Sequence, residues 1–291
     1  MEALAQALEH QRAFFLGAVG LIGLLVGSFL NVVIHRLPIM LERAWRQECR
    51  EFLGLEPEAA KPYNLLLPRS HCPACGKPIG FWENIPVASY LALGGRCLGC
   101  GARISLRYVL VELLTAALSV AVAWRFGVSL QTAAALALTF GLIALSFIDL
   151  DQQLLPDAIV LPLLWLGLFL TLFQVFTDSA SGVLGAISGY LSLWTVHRLF
   201  KWITGKDGMG QGDFKLLALL GAWLGWTKLP AVILLSSLAG AAVGLTMVVA
   251  MGRDRHLPIA YGPYLAAAGW IALLWGDAIT GAYLEVLGIP A

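Results

Sequence analysis

The stretch LQTAAALALTFGLIALSFI, residues Leu130–Ile148, runs for nineteen residues without a charged side chain, and Asp149 follows it at once. About 20 apolar residues in a helix are needed to cross the ~30 Å hydrocarbon core of a bilayer. The stretch therefore predicts a membrane-spanning helix that ends at an acidic residue. β-Barrel strands are excluded, because they would be short and would alternate apolar with polar residues.

The composition of the whole chain agrees with this stretch. Of its 291 residues 59% are hydrophobic and 13% are charged, and the mean hydropathy is +0.79. Soluble domains carry nearer to ~25% charged residues. A soluble globular enzyme and a disordered chain are therefore both excluded. The net charge of +1 gives no sign of nucleic-acid binding.

Similar apolar runs recur along the chain and predict an all-α polytopic membrane protein with about eight transmembrane helices. The sixth run is short and interrupted by glycine. The first is too long for the apolar core of a signal peptide, so we interpret it as a retained span. The runs are Phe14–Val33, Tyr108–Trp124, Leu130–Ile148, Ala158–Phe176, Ser181–Phe200, Phe214–Trp226, Leu229–Met251 and Tyr264–Leu287.

Basic residues predict the orientation of these spans, because loops on the cytoplasmic side are enriched in Lys and Arg. The polar segment 36–107 and the loops that share its side hold sixteen of the nineteen Lys and Arg residues. The other side holds only Arg12, Arg125 and Lys228. We therefore predict that segment 36–107 is cytoplasmic and that both chain termini lie outside. The first part of this segment, Leu41–Leu55, is predicted to form a charged amphipathic helix.

Four of the five cysteines lie in this polar segment, as the pairs Cys72–Cys75 and Cys97–Cys100. Each pair has the spacing C-x-x-C and is followed directly by a glycine. This pattern is typical of a structural zinc site with four thiolate ligands, which leaves no open position for water. Two disulfides are the alternative, but a reducing cytoplasm argues against them. His71 adjoins the first pair and is either a further ligand or a surface residue.

The acidic residues that the polar segment does not account for include four near the predicted cytoplasmic ends of spans. They are Asp149, Asp151 and Asp157 after the third span, and Asp213 at the start of the sixth. Asp149 and Asp213 are predicted at the same depth. Two carboxylates held close cannot both ionise easily, so they could activate a water for attack on an amide. The alternatives are an N-cap role for Asp213 and an interfacial role for Asp149. Asp157, which follows Pro156, is expected to cap the fourth span.

The glycine-rich stretch 205–212 before Asp213 is not a nucleotide-binding loop. It lacks the P-loop spacing, and no strand precedes it. No H-E-x-x-H motif of zinc proteases occurs in the chain either.

An ordered set of motifs gives the chain a family resemblance. It resembles the type IV prepilin leader peptidases, which are membrane aspartic proteases of the Gly-x-Gly-Asp type. The match extends over nearly the whole length. The motifs are Gly27-Ser-Phe-Leu-Asn31, His35-Arg-Leu-Pro38, the two cysteine pairs around Trp82-Glu-Asn-Ile-Pro86, Arg107–Glu112, Ile148-Asp149 with Leu155-Pro-Asp157, Gly208–Lys215 and Tyr261-Gly-Pro-Tyr264.

The resemblance implies a function in the bacterial inner membrane. Such proteins cleave the leader of type IV prepilins and of type II secretion pseudopilins at the cytoplasmic face, after a glycine and ahead of an apolar helix. They then N-methylate the new terminal residue, usually Phe, with S-adenosylmethionine. The two catalytic aspartates of the family fall on Asp149 and Asp213. The zinc loop marks the branch with both activities.

The site of methyl transfer is not predicted by any cofactor motif. The polar segment is the candidate region, with Glu83, Asn84, Gly94, Gly95 and Arg96 near the cysteine pairs. Two alternatives remain at this stage. One is a peptidase without methyltransferase activity, whose zinc loop docks the substrate; the other is a non-catalytic scaffold for secretion assembly.

We predict three regions from these patterns. Residues 1–35 form an N-terminal tail and the first span. Residues 36–107 form a cytoplasmic zinc-binding loop, and residues 108–291 form a membrane aspartic peptidase domain.

Overall fold

A computed structural model of the protein describes residues 11–56, 62–80, 82–251 and 260–286. Throughout these residues the regular structure is helical, apart from two isolated β-bridges in the polar segment. The predicted all-α class is therefore confirmed. The predicted tail 1–10 and three of the basic residues counted as cytoplasmic, Lys61, Arg253 and Arg255, lie outside the described residues.

The described parts of the chain contain nine α-helices, and contacts divide the chain into two compact units, Met1–Thr132 and Ala133–Ala291. The helices are α1 (Arg12–Phe52), α2 (Ala88–Ala92), α3 (Leu106–Phe126), α4 (Leu130–Gln152), α5 (Asp157–Thr171), α6 (Ser179–Thr204), α7 (Gln211–Leu224), α8 (Leu229–Met251) and α9 (Gly262–Val286).

Five of these helices are long and apolar enough to cross a membrane, by length and composition: α1, α3, α4, α8 with the short turn before it, and α9. The other three predicted spans coincide with α5, α6 and α7. Of these, α5 has 15 residues and α7 has 14. The chain is therefore a helical membrane protein, and the full number of eight spans stays a prediction.

In the first unit, α1 and α3 pack with their backbones close together. A Cβ atom added to Gly23 would lie 2.8 Å from the Cα of Ala116, and one added to Gly27 would lie 2.8 Å from the Cα of Glu112. Apolar side chains gain little by leaving lipid for a helix interface. Close approach through small residues is therefore the usual way that membrane helices associate.

The start of the polar segment differs from the prediction. A helix was expected over Leu41–Leu55, separate from the first span that ends at Val33, but α1 continues without a break to Phe52. Pro38 lies inside it and removes one backbone donor. The residues that follow, among them Leu41, Glu42 and Arg46, favour helix, and they carry the helix on. The predicted helix is confirmed as far as Phe52, but the prediction that it is separate from the first span was wrong.

In the second unit, α7 forms the centre. Every residue from Asp213 to Leu224 is buried except Lys215, which is half-buried. The indole nitrogen of Trp223 donates a hydrogen bond to the carbonyl of Leu163 at 2.8 Å. A helix that is apolar on all sides is typical of a buried position. The short sixth apolar run is therefore a helix that its neighbours enclose.

Glycines hold α6 against this central helix. A Cβ added to Gly185 would collide with the carbonyl of Gly221, and a Cβ on Gly221 would collide with the carbonyl of Gly185. One turn further along, a Cβ on Gly189 would lie 2.6 Å from the carbonyl oxygen of Leu217. The contact is between backbones, so no side chain can move aside to make room.

Gly185→Leu is therefore expected to lower the free energy of unfolding by about 1–3 kcal/mol, the typical cost of overpacking a well-packed core. Thermal unfolding in detergent would measure this. Gly17→Leu is the matched control, because nothing lies within 4 Å of a Cβ at Gly17. Equal melting temperatures of the two variants would contradict the close α6–α7 contact.

Candidate functional site

The two aspartates singled out by the sequence are both buried in the second unit. Asp149 lies near the end of α4 and is 5% exposed, and Asp213 lies in the first turn of α7 and is 8% exposed. The N-cap of α7 is Gly210. Asp213 is therefore not the N-cap residue of α7, and Asp149 is buried and does not face water.

Leu155 lies close to a residue beside each aspartate. A Cβ added to Gly212, next to Asp213, would lie 2.9 Å from the Cβ of Leu155. A Cβ added to Gly262 would lie 3.2 Å from the Cδ2 of Leu155 and 2.7 Å from Oδ2 of Asp149. The end of α4 and the start of α7 therefore both lie close to Leu155. The pairing of the two carboxylates in one catalytic site stays a prediction.

Gly262 contributes a functional group that the sequence did not reveal. Its backbone N–H donates a hydrogen bond of 3.0 Å to Oδ2 of Asp149, in a buried position. A Cβ at residue 262 would lie 2.7 Å from this carboxylate oxygen, so a larger residue there would force the carboxylate to shift. The motif Tyr261-Gly-Pro-Tyr264 was noted in the sequence, but a main-chain donor leaves no signature by which its partner could be named.

The neighbouring acidic residues have different surroundings. Asp157 was expected to cap the fourth span, but Pro156 occupies the N-cap position, so that prediction is wrong. Asp157 lies in the first turn of α5 and accepts hydrogen bonds from Nζ of Lys215 at 2.7 and 2.8 Å. Asp151 is exposed. The Lys215–Asp157 ion pair joins the start of α7 to the start of α5.

The four cysteines of the polar segment form one cluster in the first unit. The ligand atoms of Cys72, Cys75, Cys97 and Cys100 all lie within 4.8 Å of one another, and all four thiols are free. The Sγ atoms of Cys72 and Cys100 are 3.9 Å apart, as are those of Cys75 and Cys97. A tetrahedral ion with metal–sulfur bonds of about 2.3 Å would separate its ligands by about 3.8 Å. The cluster could therefore hold a metal ion.

Each cysteine pair is held by the same set of backbone hydrogen bonds. Cys72 donates to the carbonyl of Lys77 and accepts from Gly76, while Cys97 donates to Ala102 and accepts from Gly101, all at 2.9 Å. Gly76 and Gly101 both have φ of +70°, which glycine adopts without strain. The repeated local fold brings the two thiol pairs toward one another without a large apolar core.

Within the cluster the backbone favours a thiolate at Cys97, whereas the contact with Cys75 and burial raise the pKa of the Cys100 thiol to about 11. The backbone N–H of Gly99 donates to Sγ of Cys97 and, with a further N–H from Cys100, lowers the pKa of that thiol to about 6. Thiolates are the form that binds metal. Lys77 adds a positive charge nearby, and it forms a 3.0 Å ion pair with Glu83.

The residues considered for methyl transfer contribute to this same local scaffold. Glu83 accepts hydrogen bonds from the backbone of Gly80 and from Lys77, and these lower the pKa of its carboxyl group. Gly94 and Gly95 both adopt positive φ, and the Tyr90 ring packs against Gly95. Arg96 pairs with Arg103 in the bridge that closes the second cysteine pair. Asn84 ends a short 3-10 turn.

Known proteins match the chain over almost its entire length. Residues 21–126 match the Bacterial Peptidase A24 N-terminal domain, and residues 136–245 match the Type IV leader peptidase family. The chain is 59% identical to a Pseudomonas aeruginosa protein over 99% of both sequences.

The chain belongs to the type IV leader peptidase family. The Pseudomonas aeruginosa relative is named prepilin leader peptidase/N-methyltransferase. Relatives of the same name from Aeromonas hydrophila and Dichelobacter nodosus are 57% and 52% identical, and each match covers at least 90% of both sequences. No solved structure matches the chain. The resemblance found in the sequence is confirmed, and the scaffold alternative, which has no enzyme activity, is not supported.

The thiol cluster predicts that the purified protein carries one metal ion per chain. Cys97→Ser is expected to lose that metal, because three thiolates and a weaker hydroxyl ligand hold it less tightly. Elemental analysis of natively purified protein measures the content. Cys49→Ser is the control, since Cys49 lies on α1 and outside the cluster. Equal metal content in the two variants would rule out the cluster as the metal site.

Proposed function

We propose that this protein removes the leader peptide from type IV prepilins by water attack activated by Asp149 and Asp213. The observation that carries the proposal is that two buried carboxylates lie on segments that both approach Leu155, and that one of them accepts a backbone hydrogen bond from Gly262. Such a pair can serve a peptidase if one carboxylate acts as a base while the other carries a proton that it can donate. Burial and mutual repulsion make it unfavourable for both carboxylates to be ionised at once, so one of them keeps a proton.

The chemistry follows from sharing one proton between the two carboxylates, which titrate as a unit. The ionised carboxylate takes a proton from water as its oxygen attacks the amide carbon. The protonated carboxyl hydrogen-bonds the amide oxygen and stabilises the negative charge that develops on it. The C–N bond then breaks, and the leaving amine takes up the proton that the base removed from water. The Gly262 N–H stabilises charge on Asp149, and we therefore assign the role of base to Asp149.

The substrate must present its scissile bond at the membrane surface, because Asp149 lies near one end of a candidate span. Sixteen of nineteen basic residues were predicted on the same side as this end. We propose that this side is the cytoplasm and that the membrane is the bacterial inner membrane. Pseudopilins of type II secretion are proposed as further substrates, and membrane lipid as the surrounding solvent.

The names of the relatives also support a second reaction. We propose that the protein N-methylates the new N-terminal residue of the cleaved pilin with S-adenosylmethionine, since relatives at 52–59% identity are named for both activities. We propose zinc as the metal of the cysteine cluster. Four thiolates with Sγ separations of 3.9 Å suit a tetrahedral structural zinc site.

Replacing either aspartate by asparagine is expected to lower prepilin cleavage by about a hundredfold or more, since general acid–base catalysis contributes about 10²–10⁴ in rate. The measurement is the gel mobility of a prepilin incubated with Asp149→Asn or Asp213→Asn protein. Asp151→Asn is the control, because Asp151 is exposed and lies only two residues from Asp149. Normal cleavage by either of the first two variants would overturn the two-aspartate mechanism.

The methyltransferase is tested with pilin that has already been cleaved. The wild-type protein is expected to transfer label from S-adenosylmethionine to the pilin N-terminus. Asp213→Asn is expected to transfer it as well, since that carboxylate serves the hydrolysis. N-terminal sequencing and mass spectrometry detect the methyl group. Cleavage without any transfer would favour the peptidase that lacks methyltransferase activity.

A further inference from the structure

A groove of about 410 Å³ lies beside the aspartates in the second unit. Its walls come from α6, from the glycine-rich segment before α7, from α8, and from Tyr261 and Tyr264 at the start of α9. Apolar side chains form most of the surface, among them Leu193, Val196, Met209, Ile233 and Ala241. A volume of several hundred cubic ångströms is typical of ligand-binding pockets.

Residues on both sides of the groove lie next to residues that approach the carboxylates. Met209 precedes Asp213 by four residues, in the segment that enters α7. Tyr261 precedes Gly262, whose N–H is bonded to Asp149. The hydroxyl of Tyr261 lies 2.7 Å from Oγ of Ser236 and 3.4 Å from Oγ of Ser237, both on α8. These hydrogen bonds fix the Tyr261 ring in the groove wall, so the groove is already formed beside the site.

The lining indicates what kind of segment the groove can hold. Among the residues that the structure describes, the lining contains no charged side chain, and its polar groups include the Ser237 and Tyr261 hydroxyls, which lie within hydrogen-bonding distance of each other. A charged leader would lose its hydration there without gaining a partner. α8 belongs to a candidate membrane span. An apolar, membrane-embedded segment of a polypeptide therefore matches both the chemistry and the depth of the groove.

We propose that this groove binds the apolar membrane-embedded segment of the substrate, on the side of the scissile bond that stays in the membrane. This inference rests on the proposed function and extends it. Binding there would hold the adjoining peptide bond between Met209 and Tyr261, within reach of the two carboxylates. The groove would contribute affinity for the substrate, and the aspartates would perform the chemistry.

Two neighbouring alanines of α8 provide a matched test. Ala241 lines the groove, whereas Ala242 lies one residue further along, outside the lining, and both are exposed. Successive residues of a helix point about 100° apart. Ala241→Phe therefore fills the groove, while Ala242→Phe places the same ring elsewhere on the helix surface.

The assay compares cleavage of full-length prepilin in proteoliposomes with cleavage of a short water-soluble peptide that spans the scissile bond and lacks the apolar segment. For full-length prepilin, Ala241→Phe is expected to raise KM about tenfold or more, with kcat nearly unchanged. Ala242→Phe should match the wild type, and all three proteins should cleave the short peptide alike. Equal KM values for the two variants on prepilin would overturn the proposal, as would equal losses on prepilin and peptide.

Crosslinking gives a second test that does not depend on the folding of Ala241→Phe. A photoreactive amino acid at residue 241, in the inactive Asp213→Asn background, is expected to crosslink to the apolar segment of prepilin. The same group at residue 242 is the control. Adducts only with lipid or with a second copy of the chain would overturn the proposal. Loss of activity in both Asp variants together with an unoccupied groove would leave the two-aspartate function intact and remove only the docking site.

Discussion

The second unit depends on the contact between the backbones of α6 and α7 at Gly185 and Gly221. Lipid tails are as apolar as leucine, so a membrane helix gains little by burying apolar side chains against another helix. What remains is the attraction between closely packed atoms, which falls off sharply when even a small gap opens. Because glycine occupies both positions, the backbones of α6 and α7 can touch, and α7 can be enclosed by its neighbours. The depth and direction of α7 in turn determine where Asp213 lies.

Sequence patterns predicted the features that depend on composition and spacing. A charge-poor chain with long apolar runs specifies a helical membrane protein, and two C-x-x-C pairs specify a thiol cluster. Asp149 and Asp213 could be paired in advance, because the alternation of spans places the end of α4 and the start of α7 on one side. Neither inference needs any detail of side-chain packing.

Other features depend on tertiary contacts that leave little trace in the sequence. The hydrogen bond from Gly262 to Asp149 joins residues 113 positions apart and uses a main-chain group that every residue but proline carries. The continuation of α1 past Pro38 went against the local rule that proline ends helices. Asp157 looked like a capping residue because of its position, yet it pairs with Lys215, whose proximity depends on how α5 and α7 pack.

The length of α1 has a mechanical consequence. A helix of 41 residues at 1.5 Å per residue extends for about 60 Å, roughly twice the thickness of a hydrocarbon core. About half of α1 therefore extends beyond the hydrocarbon core as a rigid rod. Arg36 and Arg43 on this helix contact Tyr63, so the returning chain is fastened to particular faces of the rod. Inserting one residue before Arg36 would turn these faces by about 100° relative to the buried half, whereas inserting seven would nearly restore them. Insertions or deletions in this part of α1 must therefore keep Arg36 and Arg43 facing the same way relative to the first half of the helix. Changes in its length should accordingly come in steps of about two helical turns.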